Sequence, residues 1–168
     1  FRVTVDKLLE KTGTAYDIDT LRGLEGFAAR VYFFMLGKAF PHPFGFHGRS
    51  KRPPLDPVNA LLSLGYTLLA GEISSLLEAH GCDPFMGFYH APEYGRSSLA
   101  LDLCEEFRAV VIDRMSLYLV KQGVFRPADF EPEKGGCYLV KEGLKRFYGE
   151  YEKWMRRDLG FKEPTCLR

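Results

Sequence analysis

The stretch of residues 57–80 constrains the fold most strongly, because the sequence marks both of its ends. Asp56 can accept hydrogen bonds from the free backbone amides of a helix start, and Pro57 at the first helical position gives up no hydrogen bond that the helix would use. Gly81 suits the left-handed conformation in which many helices end. Most residues between these signals are apolar, but Ser, Thr, Gly and Glu interrupt them too often for a membrane span. The sequence therefore predicts one long buried helix.

Two other segments also predict long helices. Across residues 18–36 apolar side chains recur every three or four positions, and Asp17 or Asp19 can cap the start. Residues 98–122 are rich in Leu, Val, Ile and Phe, and a glycine and a proline then stop the pattern. We expect these two helices to form the core together with the helix of residues 57–80, with the helix of residues 18–36 in a central position.

The remaining signals are shorter. Residues 141–158 alternate large apolar side chains with charges at helical spacing, and Gly135-Gly136 divides residues 130–140 into two short arms. The predicted fold class is all-α, mainly helical, with at most a small β-hairpin near residues 130–140. The 168 residues fit one domain, residues 1–160, followed by a loose C-terminal tail at residues 161–168.

Composition limits how such a domain could bind a partner. The 23 Lys and Arg residues nearly balance 22 Asp and Glu residues, for a net charge of +1, so nucleic-acid binding would depend on local clusters. The four cysteines show neither CxxC pairs nor zinc-finger spacing, which favours free thiols in a reducing cytoplasm. The chain begins at Phe1 without an initiator Met or a signal-peptide pattern, and we expect an upstream portion to be missing.

Glu25 interrupts an apolar helix face. It follows Leu21 by four residues and precedes Ala28 by three, so the periodicity predicts that its carboxylate faces inward. Because burying an unpaired carboxylate is costly, Glu25 should meet a metal ion, a basic side chain or several hydrogen-bond donors. From periodicity alone an Arg partner is the simpler interpretation, since structural ion pairs outnumber metal sites.

Two more side chains could bind a cation. His90 lies in an irregular stretch between two long helices, where binding residues are common. A single loop histidine is nevertheless more often a surface or hydrogen-bonding residue, and His42, His47 and His80 have equal claims on composition. Asp102 lies near the start of a helix, whose partial positive charge favours a carboxylate without any further role. A cation site would require a ligand from another element to meet Asp102.

A basic loop follows the first of the three long helices. Gly and Pro break every pattern across residues 37–57, where the chain carries Arg49, Lys51 and Arg52, and Arg96 lies in the second irregular stretch. Guanidinium and ammonium groups beside glycines suit contact with DNA phosphates, so replacing Arg49 and Arg52 should weaken binding to many sequences alike. Such clusters are also common on solvated surfaces that bind nothing.

Three segments taken together resemble the CRISPR adaptation integrase family. They read LRGLEGFAARVYF at residues 21–33, RSKRPPLDPVNALL at residues 49–62, and GFYH at residues 87–90 followed by GRSSLALDL at residues 95–103. Each motif alone is unremarkable, but their order and separations fit the family. The resemblance extends from about Leu8 to Trp154.

The resemblance implies a helical catalytic domain that binds one divalent cation, Mg²⁺ or Mn²⁺. In the family the ligands are a Glu on the first long helix, a His on a loop and an Asp on the following helix, and the matching positions here are Glu25, His90 and Asp102. Leu99 stands where some members have a further acidic residue, which argues against a second cation. Removing any one ligand should abolish activity, and relief of carboxylate repulsion should leave thermal stability intact or raise it.

The implied reaction joins DNA strands without a protein nucleophile: the 3′-hydroxyl of a short captured fragment attacks a phosphodiester at the edge of a CRISPR repeat. The implied partners are double-stranded DNA, both as fragment and as repeat, and a small ferredoxin-like protein. The family also forms homodimers through an N-terminal β-rich domain that this chain lacks, and some members are fused to an iron–sulfur nuclease. No membrane contact is expected.

Two other functions are compatible with the same residues. In a DNA-binding or assembly module without catalytic activity, Glu25, His90 and Asp102 would satisfy an internal polar network. A helical scaffold for protein interaction would need neither metal nor DNA. Strand transfer on a branched DNA, tested with and without Mn²⁺, distinguishes these alternatives.

Overall fold

The computed structural model describes residues 2–13, 17–91 and 93–157, and its helices carry most of the chain. In chain order they are α1 (Arg2–Thr12), α2 (Ile18–Gly37), α3 (Pro57–Ala79), α4 (Ser98–Phe107), α5 (Arg114–Lys121) and α6 (Lys141–Met155). A π-helical segment, Arg108–Asp113, joins α4 to α5, and 3-10 turns occupy His42–Phe44 and Pro127–Asp129. The strands β1 (Phe130–Glu133) and β2 (Gly136–Leu139) pair antiparallel. The mainly helical fold with a small hairpin is confirmed, whereas the tail at residues 161–168 lies outside the described residues.

Both ends of α3 form as the sequence predicts. The Asp56 carboxylate accepts a hydrogen bond of 2.8 Å from the backbone amide of Asn59, and Pro57 occupies the first helical turn. The helix ends at Ala79, and Gly81 adopts a positive φ of 75°, which a residue with a side chain rarely adopts. These caps fix where α3 begins and ends.

Helix α3 forms the centre of the core. It packs against α4, the π-helical segment, α5 and β2, and its buried apolar residues include Val58, Leu61 and Leu62, which have no measurable exposure. Among the described residues, α3 is the one helix long and apolar enough to cross a membrane by those two criteria. Core helices of this length satisfy the same criteria, and the packing of α3 within the domain agrees with the predicted buried helix.

The third predicted helix is interrupted rather than uniform. Where the sequence predicts one helix across residues 98–122, the backbone changes to π-helical hydrogen bonding at Arg108–Asp113 and returns to α-helical bonding in α5. A π turn holds one more residue than an α turn, so it rotates the side chains that follow. Helical periodicity does not reveal such a turn, because the residues remain good helix formers on both sides of it.

Helix α2 is not central, which corrects the prediction. None of its residues is fully buried, and only Phe33 and Leu36 pack against the core from its C-terminal half. Its apolar stripe faces a cavity instead of the core, because α3 and the α4–α5 helix already fill the centre. The preceding helix α1, which the sequence analysis did not identify, contacts α2.

The hairpin forms where Gly135-Gly136 predicts it. Glu133 pairs with Gly136, and Lys134 and Gly135 between them both have positive φ, 48° and 77°. Two consecutive residues with positive φ are typical of the tight turns that match the twist of antiparallel strands. Strand β2 also packs against α3, so the hairpin belongs to the core domain.

Gly65 is expected to be the least replaceable glycine of α3. A methyl group at Gly65 would lie 2.5 Å from Cγ2 of Ile112, so Gly65→Ala should destabilise the chain by about 1–3 kcal/mol through overpacking. Gly71→Ala is the matched control on the same helix: nothing lies within 4 Å of its added methyl group, and helix propensity should stabilise the chain by up to about 1 kcal/mol. Urea unfolding of both variants measures the difference, and equal free energies of unfolding would contradict the packing of α3 against the π-helical segment.

Candidate active site

The carboxylate of Asp102 is the best-ordered polar group of the candidate site. Its side chain is completely buried near the start of α4. One oxygen, Oδ2, accepts the backbone amides of Phe88 at 2.7 Å and Tyr89 at 2.9 Å. The other, Oδ1, accepts the backbone amide of His90 at 3.0 Å and its ring Nδ1 at 2.5 Å. Asp102 therefore holds the loop of residues 88–90 by four hydrogen bonds.

These hydrogen bonds keep Asp102 charged. Burial by itself would raise the pKa of this carboxyl group, but the donors from Tyr89, His90 and Phe88 outweigh burial and leave the pKa below its usual value. A carboxylate offers about four lone-pair positions, and here all four are engaged. The position of Asp102 near a helix start therefore does not account for it by itself, because its carboxylate also binds the loop of residues 88–90.

A close backbone approach allows the loop to wrap around Asp102. A Cβ atom on Gly87 would lie 2.6 Å from Cβ of Ser98 and 2.9 Å from Oδ2 of Asp102. The hydroxyl of Ser98, itself buried, donates to the carbonyl of Ala91 at 3.1 Å. Glycine at position 87 is therefore required by space at the point where the loop meets α4.

Glu25 is exposed, which corrects the prediction that its carboxylate faces inward. It lies on the cavity side of α2, where the apolar stripe meets solvent and not the core. Its oxygen Oε2 accepts a hydrogen bond of 2.7 Å from the hydroxyl of Tyr89. Within the described residues Glu25 forms no ion pair, so the alternative of an Arg partner is not what the structure shows.

Tyr89 acts as a hydrogen-bond donor to Glu25. Burial raises the pKa of its hydroxyl to about 12, and the neighbouring Glu25 carboxylate adds to that rise. The group therefore keeps its proton at neutral pH. Tyr89 also lies edge-on to the ring of His90, with the two ring centroids 5.5 Å apart.

The structure thus brings two of the three predicted ligands into contact and links the third through Tyr89. Across residues 2–13, 17–91 and 93–157, no three His, Cys, Asp or Glu side chains lie close enough together to hold a metal ion. Glu25 and Asp102 nevertheless line one cavity of about 490 Å³, and Glu105 and Glu106 also line it. Of the predicted ligands, Glu25 and Asp102 bring carboxylate oxygens to this cavity, and the imidazole of His90 lies beside Asp102.

A second cavity connects Glu25 to the basic loop. It measures about 730 Å³, and Glu25 contributes to its wall together with several aromatic side chains. Its basic lining residues are Arg30, His47, Arg49, Lys51 and Arg108. Of these, the sequence analysis named Arg49 and Lys51 for DNA contact but missed Arg30 and Arg108, which lie on helical segments rather than in the loop.

Arg49 holds the basic loop to α3. It is half-buried, and it donates to the carbonyl of Ser50, to Oδ1 of Asn59 at 2.8 Å and to the hydroxyl of Ser63 at 2.9 Å. The fully buried Asn59 donates in turn to the carbonyl of Gly48 at 2.8 Å. Asn59 therefore fixes the loop, a role that its place in an otherwise apolar helix did not reveal, and Arg49 has a structural role whether or not it contacts DNA.

The other predicted DNA-binding residues differ in how free they are. Lys51 and Arg52 are exposed and form no hydrogen bond or ion pair within the described part of the chain. Arg96 pairs with Glu93 at 3.2 Å and is 40% exposed. Lys51 and Arg52 are thus the residues of this group most available to a phosphate.

A buried carboxylate in the π-helical segment links three helical segments near the second cavity. Asp113 accepts hydrogen bonds from the hydroxyl of Tyr32 on α2, at 2.6 Å, and from that of Tyr66 on α3. Burial raises the pKa of Asp113, although both hydrogen bonds oppose the rise. Arg49 and Arg108 both lie near the Tyr66 ring, 5.3 Å and 5.1 Å from its centroid. This cluster keeps α2, and with it Glu25, beside the core.

The other histidines lie apart from Asp102. His42 begins a 3-10 turn, and His47 lines the second cavity. His80 caps α3, where its Nδ1 lies 2.7 Å from the carbonyl of Leu76. Of the four histidines, only His90 contacts one of the predicted carboxylate ligands within the described residues.

Comparison with known sequences assigns most of this chain to one family. The family model described as CRISPR associated protein Cas1 matches residues 3–153. A CRISPR-associated endonuclease Cas1 of Thermodesulfovibrio yellowstonii is 50% identical over 146 residues, which are 86% of this chain and 46% of that protein. One from Rhodospirillum rubrum is 47% identical over an alignment that covers 95% of this chain and 49% of that protein. A Cas4 exonuclease/Cas1 endonuclease fusion of Geobacter sulfurreducens is 41% identical, over 86% of this chain and 27% of the fusion.

Solved structures share the fold. A Cas1 protein from Thermotoga maritima superposes with a TM-score of 0.83 at 32% identity, over 88% of this chain and 48% of that chain. A casposase bound to integration product superposes with a TM-score of 0.81 at 27% identity, over 88% of this chain and 43% of that chain. A chain of a partial Cas6-RT-Cas1–Cas2 complex superposes with a TM-score of 0.81 at 34% identity, over 88% of this chain and 46% of that chain.

The chain spans about half the length of the curated relatives it matches. The family match at residues 3–153 covers nearly all of the described residues, and Glu25, His90 and Asp102 lie within that range. The chain therefore belongs to the Cas1 family of CRISPR-associated proteins.

Proposed function

We propose that this chain is the helical catalytic part of a divalent-metal-dependent DNA integrase and endonuclease. In the proposed reaction, the 3′-hydroxyl of a short DNA fragment attacks a phosphodiester of a CRISPR repeat, and the fragment becomes joined to the array. A new phosphodiester bond forms as the old one breaks, and the proton of the attacking hydroxyl is lost as the leaving 3′-oxygen gains one. The likeness to a casposase bound to integration product supports this class of reaction.

One observation carries the proposal: Glu25 contributes to both cavities. The cavity of about 490 Å³ joins it to Asp102, and the cavity of about 730 Å³ joins it to a basic wall. A DNA backbone held by Lys51 and its neighbours would therefore run past the predicted metal ligands. This arrangement brings phosphate-binding groups and acidic groups to one place, as phosphoryl transfer requires.

The donor chemistry fits a Mg²⁺ or Mn²⁺ ion. Glu25 and Asp102 supply hard oxygen ligands and His90 a nitrogen ligand, which together suit these cations. Because all four lone-pair positions of Asp102 are engaged, a cation can bind this carboxylate only by displacing a donor. Bound there, the cation would supply Lewis-acid polarisation of the phosphate and stabilise charge on the leaving oxygen.

The protein groups have separate tasks in this proposal. Asp102 orients the loop of residues 88–90, so that the His90 ring is held against the carboxylate. Tyr89 donates a hydrogen bond to the Glu25 side chain, which lines both cavities. Lys51, Arg52 and Arg96 would hold DNA phosphates without reading bases, since cationic side chains contact the backbone regardless of sequence.

The proposed partners follow from the relatives. We expect double-stranded DNA as fragment and as repeat, and a small ferredoxin-like protein, in agreement with the Cas1–Cas2 complex that shares this fold. The Cas4/Cas1 fusion of Geobacter sulfurreducens suggests a nuclease partner. A homodimer would form through an N-terminal β-rich domain such as the family has, and the assembly would act in the cytoplasm.

A second function has one observation in its favour. In a second candidate function, a non-catalytic DNA-binding or assembly module, the three residues form only a polar network. Its support is that Asp102 already accepts hydrogen bonds from Tyr89 and His90, and that Glu25 accepts one from Tyr89. A branched DNA that carries an integrated strand distinguishes the two. If that strand is released or transferred with Mn²⁺, and neither reaction occurs with EDTA, the result supports the integrase function. DNA binding without either reaction, in an assembly with the N-terminal domain and partner restored, supports the module.

Replacing both Lys51 and Arg52 by alanine is expected to weaken DNA binding and to flatten its salt dependence. Each lost phosphate contact should lower the slope of log K against log salt by about one, so the pair should lower it by about two. Fluorescence anisotropy at several salt concentrations measures the slope. Lys153→Ala with Arg156→Ala removes the same charge from the C-terminal end of α6 and the residue that caps it. Neither residue lines the two cavities, so this variant should leave the slope nearly unchanged. Equal slopes for both variants would count against the loop as the DNA surface.

A further inference from the structure

One residue, Tyr89, contacts all three predicted metal ligands. Its hydroxyl donates to Oε2 of Glu25 at 2.7 Å, and its backbone amide donates to Oδ2 of Asp102 at 2.9 Å. Its ring packs edge-on against the ring of His90. The two carboxylates lie on different helices, and Tyr89 is the described residue that hydrogen-bonds to both of them.

Tyr89 is itself held at several points. The Arg22 guanidinium lies 6.0 Å from the centroid of the Tyr89 ring and donates to the Tyr89 carbonyl at 3.4 Å. The backbone on either side of it, at Phe88 and His90, is tied to the same Asp102 carboxylate. The position of the Tyr89 hydroxyl is therefore set by the loop and by α2 together, and not by the hydrogen bond to Glu25 alone.

Glu25 by contrast has little else to restrain it. It is exposed, and its other oxygen, Oε1, accepts no hydrogen bond within the described residues. An exposed glutamate samples many rotamers, and a ligand that must be ordered on binding costs affinity. Hydrogen bonds from neighbouring groups to metal-binding carboxylates commonly reduce that cost by fixing their orientation.

We propose that Tyr89 is a positioning residue that holds Glu25 against the Asp102–His90 pair for divalent-cation binding. The inference rests on the proposed metal site. One oxygen of Glu25 is engaged by Tyr89, and the other remains available to a cation. Tyr89 does not contact the reacting phosphate in this role, and it acts only through Glu25.

Tyr89→Phe in the full chain tests this role, because it removes one hydroxyl and keeps the ring. Mn²⁺ affinity, measured from the free-ion signal in electron paramagnetic resonance, is expected to fall by about tenfold or more. Tyr94→Phe is the matched control: it makes the same change on a fully exposed side chain, also between α3 and α4, and it should leave the affinity unchanged. The melting temperature of Tyr89→Phe should stay near that of the wild type, since the lost hydrogen bond is solvent-exposed.

A double substitution checks that Tyr89 acts through Glu25. In a Glu25→Gln background, Tyr89→Phe should cause little further loss of Mn²⁺ affinity, because the group that it positions is already changed. In strand-transfer assays of the complete assembly, raising the Mn²⁺ concentration should restore the rate of Tyr89→Phe. A rate lost through damage to the fold would not be restored by added Mn²⁺.

The outcomes separate the two proposals. Wild-type Mn²⁺ affinity in Tyr89→Phe, or a loss that added fully to that of Glu25→Gln, would overturn the positioning role and leave the proposed function standing. Absence of Mn²⁺ binding by the wild-type chain, or binding that Glu25→Gln did not weaken, would overturn both.

Discussion

A Glu25→Gln chain is expected to bind DNA as the wild type does and to transfer strands at least about a thousandfold more slowly. Loss of a metal ligand removes several kcal/mol of transition-state stabilisation, which corresponds to this factor. DNA affinity should persist, because phosphate contacts are assigned to Lys51 and Arg52. The fold should persist as well, since Glu25 is exposed and its described hydrogen bond is to Tyr89 alone. Strand transfer in the complete assembly, with anisotropy for DNA binding, measures both quantities.

Glu106→Gln is the matched control for this substitution. Glu106 also lines the cavity of about 490 Å³, and the change removes the same charge from an exposed side chain. Its rate should stay within a few fold of the wild type. Comparable losses in both variants would indicate that the net charge of the cavity matters, and not coordination by Glu25. A His90→Ala substitution added to Glu25→Gln should cause little further loss, since groups of one catalytic unit give non-additive effects.

The sequence predicts the helices well because their ends carry local signals. Asp17 caps α2 by accepting a hydrogen bond of 2.7 Å from the backbone amide of Thr20, and Asp56 caps α3 in the same manner. The turn at Lys134 and Gly135 is equally local. Each of these features depends on residues within three or four positions of each other, so a single sequence contains the information.

Burial is harder to predict than helix ends. An apolar stripe shows that a helix has a face to cover but does not show what covers it. In α2 the stripe faces a cavity, so Glu25 is exposed although its position in the pattern predicts burial. The π-helical segment is a second example: its residues fit a continuous helical pattern, and its packing against α3 is seen only in the folded chain.

The residues of the candidate site were predicted less completely than the helix ends but better than burial. The family motifs identified Glu25, His90 and Asp102, and the structure places His90 against Asp102. Tyr89 could not be inferred, because its hydroxyl meets a carboxylate 64 residues away. Asp113 was missed for the same reason: its partners Tyr32 and Tyr66 come from two other helices. Contacts between distant segments become visible only in the folded chain.

The two carboxylates differ in what their removal should do to the fold. The sequence analysis expected stability to persist or rise when any ligand is removed, on the assumption of mutually repelling carboxylates. In the structure, Asp102 faces four donors and its hydrogen bonds outweigh the cost of burial. Glu25 instead lies in solvent. We therefore expect the opposite effect for Asp102 and keep the original expectation for Glu25.

Asp102→Ala is expected to destabilise the chain by about 3 kcal/mol, because it leaves the amides of Phe88, Tyr89 and His90 without their acceptor. Glu25→Ala should change the free energy of unfolding by less than about 0.5 kcal/mol. The Asp102 contribution should also depend on pH. A pKa below the usual 3.8 in the folded chain means that the stabilisation is fully present above that pH and is lost as pH falls through the lower, folded value. Urea unfolding of both variants between pH 3 and pH 7 measures this. An Asp102→Ala chain as stable as the wild type would show that the loop amides find other acceptors and that Asp102 does not hold His90 in place.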